Sequence, residues 1–420
     1  SSGGYGLGKT FGEKNDSIRR SNRANVMRLI FERPGVDRTA LSTAVKRTNA
    51  AISNIVNELI QANLIVEGQA THAVVQPGRR RVGLKIHPPG GYVLGVSAIA
   101  TNSSIVLADI GGQRIEEVKF VPDRLDDPVK TLEQIHHLSR DVLKRNKVPD
   151  HRVFGVGFAV AGYLSREGKG LERAPYLGWP KFDLKSSLTK LFDMPVAIEN
   201  VNRCIALAET RFGGLANVDD LVLIRSALGL GGAVMVGGEL LRGEQNLGGD
   251  LGHVLAEPKG HICSCGKRGC LNTVASGWAV MMKMGITKQS YGTINQFRWH
   301  NAQLEKLLGD NTFVAEKAHK VLVEAGTALA RHLMPSLQIL NPETVCLTGP
   351  LGRHPSYANA FHQGLIELGF SAKITLATEA EIVTPSMASA YLALSNLVYS
   401  PNFSFDQEPD AIFNEKVVSF

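Results

Sequence analysis

The chain has 420 residues, 44% hydrophobic and 20% charged, which is enough for two or three buried cores and too apolar for a disordered chain. It has no run of about eighteen apolar residues and no signal-peptide pattern, so a membrane-spanning or exported protein is not expected. The net charge of +7 is unevenly placed: residues 1–87 hold fourteen Lys/Arg against six Asp/Glu, whereas the remainder holds 32 against 33. A basic head on a neutral body points to a nucleic-acid module attached to something else. Five cysteines, three of them in one short stretch, suit reduced thiols in the cytoplasm better than disulfides.

In chain order, Ser1–Gly8 reads as a flexible lead. Three short helical patterns follow. Val26, Leu29 and Ile30 recur at helical spacing before Pro34-Gly35 stops the first. Thr39 is the expected cap of a second helix with Leu41, Ala44 and Val45 inward, and Thr48 caps a third with the stripe Ile52, Ile55, Val56, Leu59 and Ile60. The short link between them, Lys46-Arg47 where a glycine is common, makes a helix-turn-helix. Asn49, Ser53, Asn54 and Asn57 occupy the outward face of the third helix, and small amides there suit base edges in a major groove. Two strands, around Leu64–Glu67 and Val82–Ile86, form a β-wing whose Arg79, Arg80 and Arg81 are placed for phosphate or the minor groove. Residues 1–88 are therefore expected to be a winged helix-turn-helix that binds double-stranded DNA.

Beyond it the period changes. Strands are expected over residues 92–99, 103–108, 114–121, 153–160, 195–199 and 221–225, with helices over 127–145 and 203–212. A long amphipathic helix over 312–340 presents Val321, Leu322, Ala325 and Leu329 as a packing or dimer face, and a strand over 341–349 ends at a glycine turn. An apolar helix over 386–398 precedes an appended tail, 401–420. Alternating strands and helices define an α/β body.

Cys263-Ser-Cys265-Gly-Lys-Arg-Gly-Cys270 lies ten residues after Gly252-His253. Three thiols, one imidazole and glycine turns are what a tetrahedral Zn2+ site requires, and four ligands leave no open position, so the metal is expected to be structural.

With these motifs the chain resembles the ROK family of repressors, open reading frames and sugar kinases over residues 15–400. The resemblance rests on Gly252-His253 with the three-cysteine run, on Pro175-Tyr-Leu-Gly-Trp179, on Pro195-Val-Ala-Ile-Glu-Asn200, on Leu241-Arg-Gly243 and on Asn341-Pro-Glu343. It implies a two-lobed, actin-like sugar-kinase fold behind the winged helix, with a sugar cleft between lobes. The first lobe is expected over 89–210, completed by the helix near 386–400, and the second, with the zinc site, over 211–385. The basic head is the arrangement of the family's transcription factors, because its kinases lack that head.

The resemblance also shows what is missing. Family kinases take the sugar proton with the Asp of Glu-Asn-Asp, and here the stretch is Glu199-Asn200-Val201. The first phosphate loop, normally Asp-x-Gly-x-Thr, is Ser97-Ala-Ile-Ala-Thr101. The second has Ala227-Leu228 where Gly-Thr-Gly is usual, and the late turn is Gly349-Pro350-Leu351. Base and cradle missing together argue against an enzyme. The resemblance assigns effector contact to Asn200, Asp250, His253 and Asn272, the two acidic family positions being altered to Asp250 and Asn272. Turn capping is the competing role for Asp250 and Asn272. The expected function is a cytoplasmic regulator, in all a repressor, of carbohydrate-use genes, acting as a homodimer or tetramer on an operator. A regulator answering to a protein partner or to no effector is the alternative, and an active sugar kinase a weaker one.

Overall fold

Asp37 accepts a hydrogen bond from the Ala40 amide at 2.8 Å and so starts the second helix of the head, the role expected of Thr39. An acidic side chain immediately before Arg38 is the stronger cap, and Thr39 already lies inside the helix. The computed structural model in which this is seen describes residues 11–69, 82–99, 103–123, 126–174, 176–288, 294–309, 314–376 and 383–405. Arg79, Arg80, Arg81 and Pro175 lie outside the described residues.

The head comprises α1 (Phe11–Glu32), α2 (Arg38–Val45), α3 (Asn49–Gln61) and an antiparallel pair, β1 (Ile65–Gln69) and β2 (Val82–Ile86), in which Ile65 opposes Ile86. Thr48 caps α3 as its sequence position predicts. Lys46 takes the left-handed conformation, φ 55°, that a glycine would adopt freely, at a cost of about 1–2 kcal/mol. The helix-turn-helix therefore closes without its customary glycine. Val26, Met27, Ile30, Leu41, Ile52, Ile55, Val56 and Leu59 make its core. Ala44 is exposed and Val45 and Ile60 are half-buried, so α2 buries a narrower stripe than its spacing suggests.

The body consists of two sheets built alike. β3 (Tyr92–Ala98), β4 (Ser103–Asp109) and β5 (Arg114–Phe120) form an antiparallel meander. After α4 (Pro128–Arg145), β6 (Val153–Val160) adds in parallel to β3. A small pair, β7 (Tyr163–Leu164) and β8 (Leu171–Arg173), and α5 (Leu184–Phe192) lead to β9 (Val196–Asn200) and α6 (Val201–Arg211). The strand order is β5-β4-β3-β6-β9.

The second lobe repeats the plan with β10 (Leu221–Ser226), β11 (Leu230–Val236) and β12 (Glu239–Leu240). The helices α7 (Asn272–Ala275), α8 (Gly277–Met284), α9 (Ile294–Gly309) and α10 (Val314–Leu340) come next. Then follow β13 (Thr344–Thr348), α11 (Pro355–Glu367) and β14 (Lys373–Leu376), giving the order β12-β11-β10-β13-β14. Three antiparallel strands joined by two parallel ones, twice over, are the actin-like duplication. Val321, Leu322, Ala325 and Leu329 are buried within the second lobe, in the cluster that includes Tyr357 and Phe361 of α11. They serve as packing within the chain, not as a dimer face.

The chain returns to the first lobe with α12 (Pro385–Ala393), extended by a π-helical turn, Leu394–Val398. Its backbone lies directly on β6: a Cβ at Gly157 would fall 1.9 Å from the Ser389 carbonyl oxygen, so only glycine permits the approach. One apolar cluster then runs from Val26, Leu59 and Leu84 of the head into Val93, Val106 and Ala108 of the first sheet. It continues through Ala390, Leu394, Tyr399 and Phe403. The tail expected from residue 401 is thus not appended at its start. Phe403 is buried, stacks edge-on against Phe154 and offers its carbonyl to the Arg23 guanidinium at 2.5 Å. Arg152 also ties head to body, donating to the carbonyls of Ala62 and Gly90.

Candidate functional site

Between the two sheets lies a cavity with about 200 Å³ of water-accessible space, lined by residues from both lobes. Drug-sized pockets run from about 300 to 1,000 Å³, so this one suits a small ligand. Its floor is the junction of β9 and α6. Asn200 ends the strand and caps the helix, its Oδ1 accepting from the Asn202 amide at 2.9 Å and its Nδ2 donating to the Gly162 carbonyl at 2.9 Å. Next to it Val201 also faces the cavity, and an isopropyl group cannot take a proton. Glu199 cannot act in its place. It is buried and bound by Arg242 at 2.7 Å and Arg203 at 3.7 Å, which commits its carboxylate to charge pairing.

Arg203 was not anticipated from sequence. Its guanidinium donates to Asn246 Oδ1 at 2.6 Å and to the carbonyls of Asn246 and Gly248, holding the loop that carries Asp250. An Arg one turn after a capping Asn was the available signal. Asp250 lines the cavity with Tyr163, whose hydroxyl lies 3.4 Å from its Oδ1. Burial raises the Asp250 pKa, against the lowering influence of His253 and Arg173. Tyr163 and Tyr176 are both pushed up by burial, Tyr176 to about 12, so both remain neutral hydroxyls.

Behind this wall His253, Cys263, Cys265 and Cys270 converge, their ligand atoms all within 4.8 Å of one another. The Cys263 amide donates to the Lys267 carbonyl and the Gly266 amide to that of Cys263, folding residues 263–267 into a tight turn. Gly269 makes the second turn at φ 77°, where a Cβ would meet the Glu257 oxygen at 1.7 Å. Zn–S bonds of about 2.3 Å and Zn–N bonds of about 2.0 Å define a tetrahedron with S···S edges near 3.8 Å and S···N edges near 3.5 Å. Cys265 and Cys270 sulfurs are 3.6 Å apart, and Cys263 Sγ is 3.5 Å from His253 Nδ1. By geometry and donor chemistry the four residues could therefore hold a metal ion. Burial and the adjacent Cys265 and Cys263 sulfurs raise the Cys270 thiol, a repulsion that a dication relieves. Although burial opposes it, the His253 ring brings the Cys263 thiol down. Nδ1 faces the sulfurs and Nε2 turns toward Asp250, 4.0 Å away, so His253 connects cluster and cavity.

Asn272 is buried beside Tyr176: its Oδ1 accepts from the Leu230 amide at 2.8 Å, and its Nδ2 points to Cys263 Sγ at 3.7 Å. It braces the glycine-rich turn against the His/Cys cluster, the structural role named for it beside effector contact.

In the head, Asn49, Asn54 and Asn57 are exposed along α3 and Ser53 is half-buried, on the face opposite Ile52, Ile55 and Val56. Glu58, on the inner side, pairs with Arg19 at 2.9 Å and Arg23 at 3.0 Å.

Two sheets of one plan around a shared cavity, with a metal-type cluster on its wall and a winged helix in front, define a sugar-kinase-type body carrying a DNA-binding-type head. The ROK family model matches residues 93–385, and the chain belongs to the ROK family. It is similar to the xylose repressor of Caldicellulosiruptor bescii, 28% identical over 336 residues that cover 79% of this chain and 83% of the relative. It is also similar to the DNA-binding transcriptional dual regulator NagC of Escherichia coli, 23% identical over 345 residues (80% and 82%). Among solved structures, a ROK family transcriptional regulator described as a homolog of the E. coli MLC protein superposes with a TM-score of 0.73. That match covers 92% of this chain and 98% of the other at 23% identity. A ROK glucokinase from Streptomyces griseus, in complex with glucose and AMPPNP, gives 0.59 over 73% of this chain and all of its own, at 20% identity. The regulator match covers more of this chain than the kinase match does.

Proposed function

We propose that the chain is a DNA-binding transcriptional regulator, acting as a repressor of carbohydrate-use genes, whose kinase-like body senses a small carbohydrate and performs no phosphoryl transfer. The observation that carries this reading is the pairing of an amide-lined, exposed α3 face with a cleft whose base position is Val201. The relatives named as repressors support it, as does the spending of loop amides that a kinase would aim at phosphate. Ala227 N donates to the Gly229 carbonyl, and Leu351 N and Gly352 N both donate to that of Ser226.

In this reading Asn49, Ser53, Asn54 and Asn57 meet base edges, while Arg79, Arg80 and Arg81 meet phosphate or the minor groove. His253, Cys263, Cys265 and Cys270 hold a structural Zn2+, which supplies a rigid wall and no reactive position. The head (1–88), the first lobe (89–210 with 386–400) and the second lobe (211–385) are the working units of a cytoplasmic homodimer on a palindromic operator. A carbohydrate held at Asn200 and Asp250 shifts DNA affinity by favouring one arrangement of the lobes over another. The path runs along α6: Asn200 and Val201 face the cavity, and at the other end Phe212 packs edge-on against Phe31 of α1 at 5.4 Å.

An electrophoretic shift on the gene's own upstream DNA tests the reading. Removing residues 1–87 is expected to abolish a salt-sensitive shift, and a retained shift would remove the DNA-reading role from the head. A coupled ATPase assay with a sugar panel is expected to give no turnover, and turnover abolished by Asp250→Ala would restore the kinase reading.

A further inference from the structure

Arg225, next to last in β10, lies opposite Gly231 of β11 and Thr348 of β13. Residues directly opposed across strands present their side chains to the same face. At Gly231 that face is the cleft, since a Cβ there would lie 2.2 Å from Asn202 Nδ2. The Arg225 side chain thus enters the cavity beside a bare glycine and next to Asn202, and all three line it.

Nothing acidic among the described residues is seen to meet it there. Among the described residues the Arg225 guanidinium has no ion pair, and the charged neighbour acting on it is Arg353, a second cation. Burial first, and Arg353 second, push its pKa down, yet a guanidinium stays charged at any physiological pH. The two acidic residues on the cavity wall are engaged elsewhere. Asp250 sits among His253, Arg173 and Tyr163, and Glu305 accepts from the Asn301 amide at 2.9 Å. Arg225 is half-buried, with its guanidinium donors unused at the cavity, and so offers a ready counter-ion to an anionic ligand. Asn202 makes the complementary demand: its Oδ1 is a buried acceptor without a donor, which a ligand hydroxyl would satisfy.

Resting on the reading of the cleft as an effector site, we infer that its ligand is a monosaccharide-sized polyol bearing an anionic group, phosphate or carboxylate, with Arg225 as the counter-ion. The ligand hydroxyls meet Asn202 and Asn200, and the anion takes the two-pronged guanidinium bond that such groups form. A nucleoside triphosphate is disfavoured, because the Ala227 amide is bound to the Gly229 carbonyl and the Leu351 and Gly352 amides to that of Ser226, leaving them unavailable to its phosphates.

The test is a binding titration of the full chain, at matched ionic strength, with pentose and hexose monophosphates, the aldonic and uronic acids of the same sugars, their neutral parents, and ATP. At least one anionic sugar is expected to bind tenfold or more tightly than its parent, and whether the phosphate or the acid wins identifies the anion. Arg225→Gln should reduce that ligand to its parent's affinity, and Arg225→Lys should restore part of the difference. Unchanged circular dichroism and metal content show that the variants fold. Equal affinity for charged and neutral sugars, an anion preference surviving in Arg225→Gln, or tightest binding by ATP would overturn the inference. A neutral sugar binding where no anionic one does leaves the effector cleft standing and this inference lost. Silence of the whole panel strikes both.

Discussion

Glu58 shows how one side chain fixes the geometry of the head. Its carboxylate is 9% exposed, and burial alone would raise its pKa, but hydrogen bonds and charge from Arg19 and Arg23 bring it below the usual value of 4.5. A group whose pKa falls on folding binds protons more readily unfolded. Its contribution is therefore complete above pH 4.5 and lost as pH falls through the lower folded value. Arg19 is 64% exposed and adds little, so Arg23, 14% exposed, is the main partner. Glu58→Gln is expected to cost about 1.5–3 kcal/mol at pH 7 and to flatten the fall in melting temperature as pH drops from about 5 to about 3. Thermal melts of both proteins across that range check it. At the metal cluster, Cys265→Ser removes one of four ligands. Metal analysis should find well under one ion per chain, with a lower melting temperature, whereas unchanged metal content would remove the assignment.

At the scale of elements, α6 runs from the cavity to the head. Phe212 stacks on Tyr391 at 4.6 Å as well as meeting Phe31, so the end of α6 is clamped between head and α12. Phe212→Ala is expected to leave DNA affinity within about twofold while weakening the ligand's effect on it by 0.5–2 kcal/mol, roughly two- to thirty-fold. Operator titrations with and without saturating ligand measure both. A full ligand response in this variant would show that the signal does not pass through this contact.

Much of this was legible in the chain. The apolar stripe of α3, the Thr48 cap and the five strands of the first sheet follow from local periodicity, and the His253–Cys270 cluster from the spacing of four residues. What sequence could not supply depends on partners distant along the chain. Asn272 bonds Leu230 and Cys263 only once the glycine-rich turn and the cysteine loop have come together. Arg225 looked like an ordinary strand residue until β11 put a glycine opposite it. Phe403 looked like tail until Phe154 and Arg23 closed around it.

For the whole molecule the governing fact is continuity. A single apolar cluster spans the head, the first sheet and α12, so the winged helix is docked on the lobe that carries Asn200 instead of hanging from a linker. A ligand that alters the relation of the lobes then has a packed route to α3. Among the described residues no helix is long and apolar enough to cross a membrane. The central claim is that the α3 amides read DNA. Fluorescence anisotropy of the full chain on its own upstream duplex, with a scrambled duplex beside it, tests this most directly. The protein should prefer its own duplex, and Asn54→Ala with Asn57→Ala should cost about 1–3 kcal/mol per lost base contact while the melting temperature stays unchanged. Equal affinity for both duplexes, or a double variant that binds as the parent does, would contradict the account.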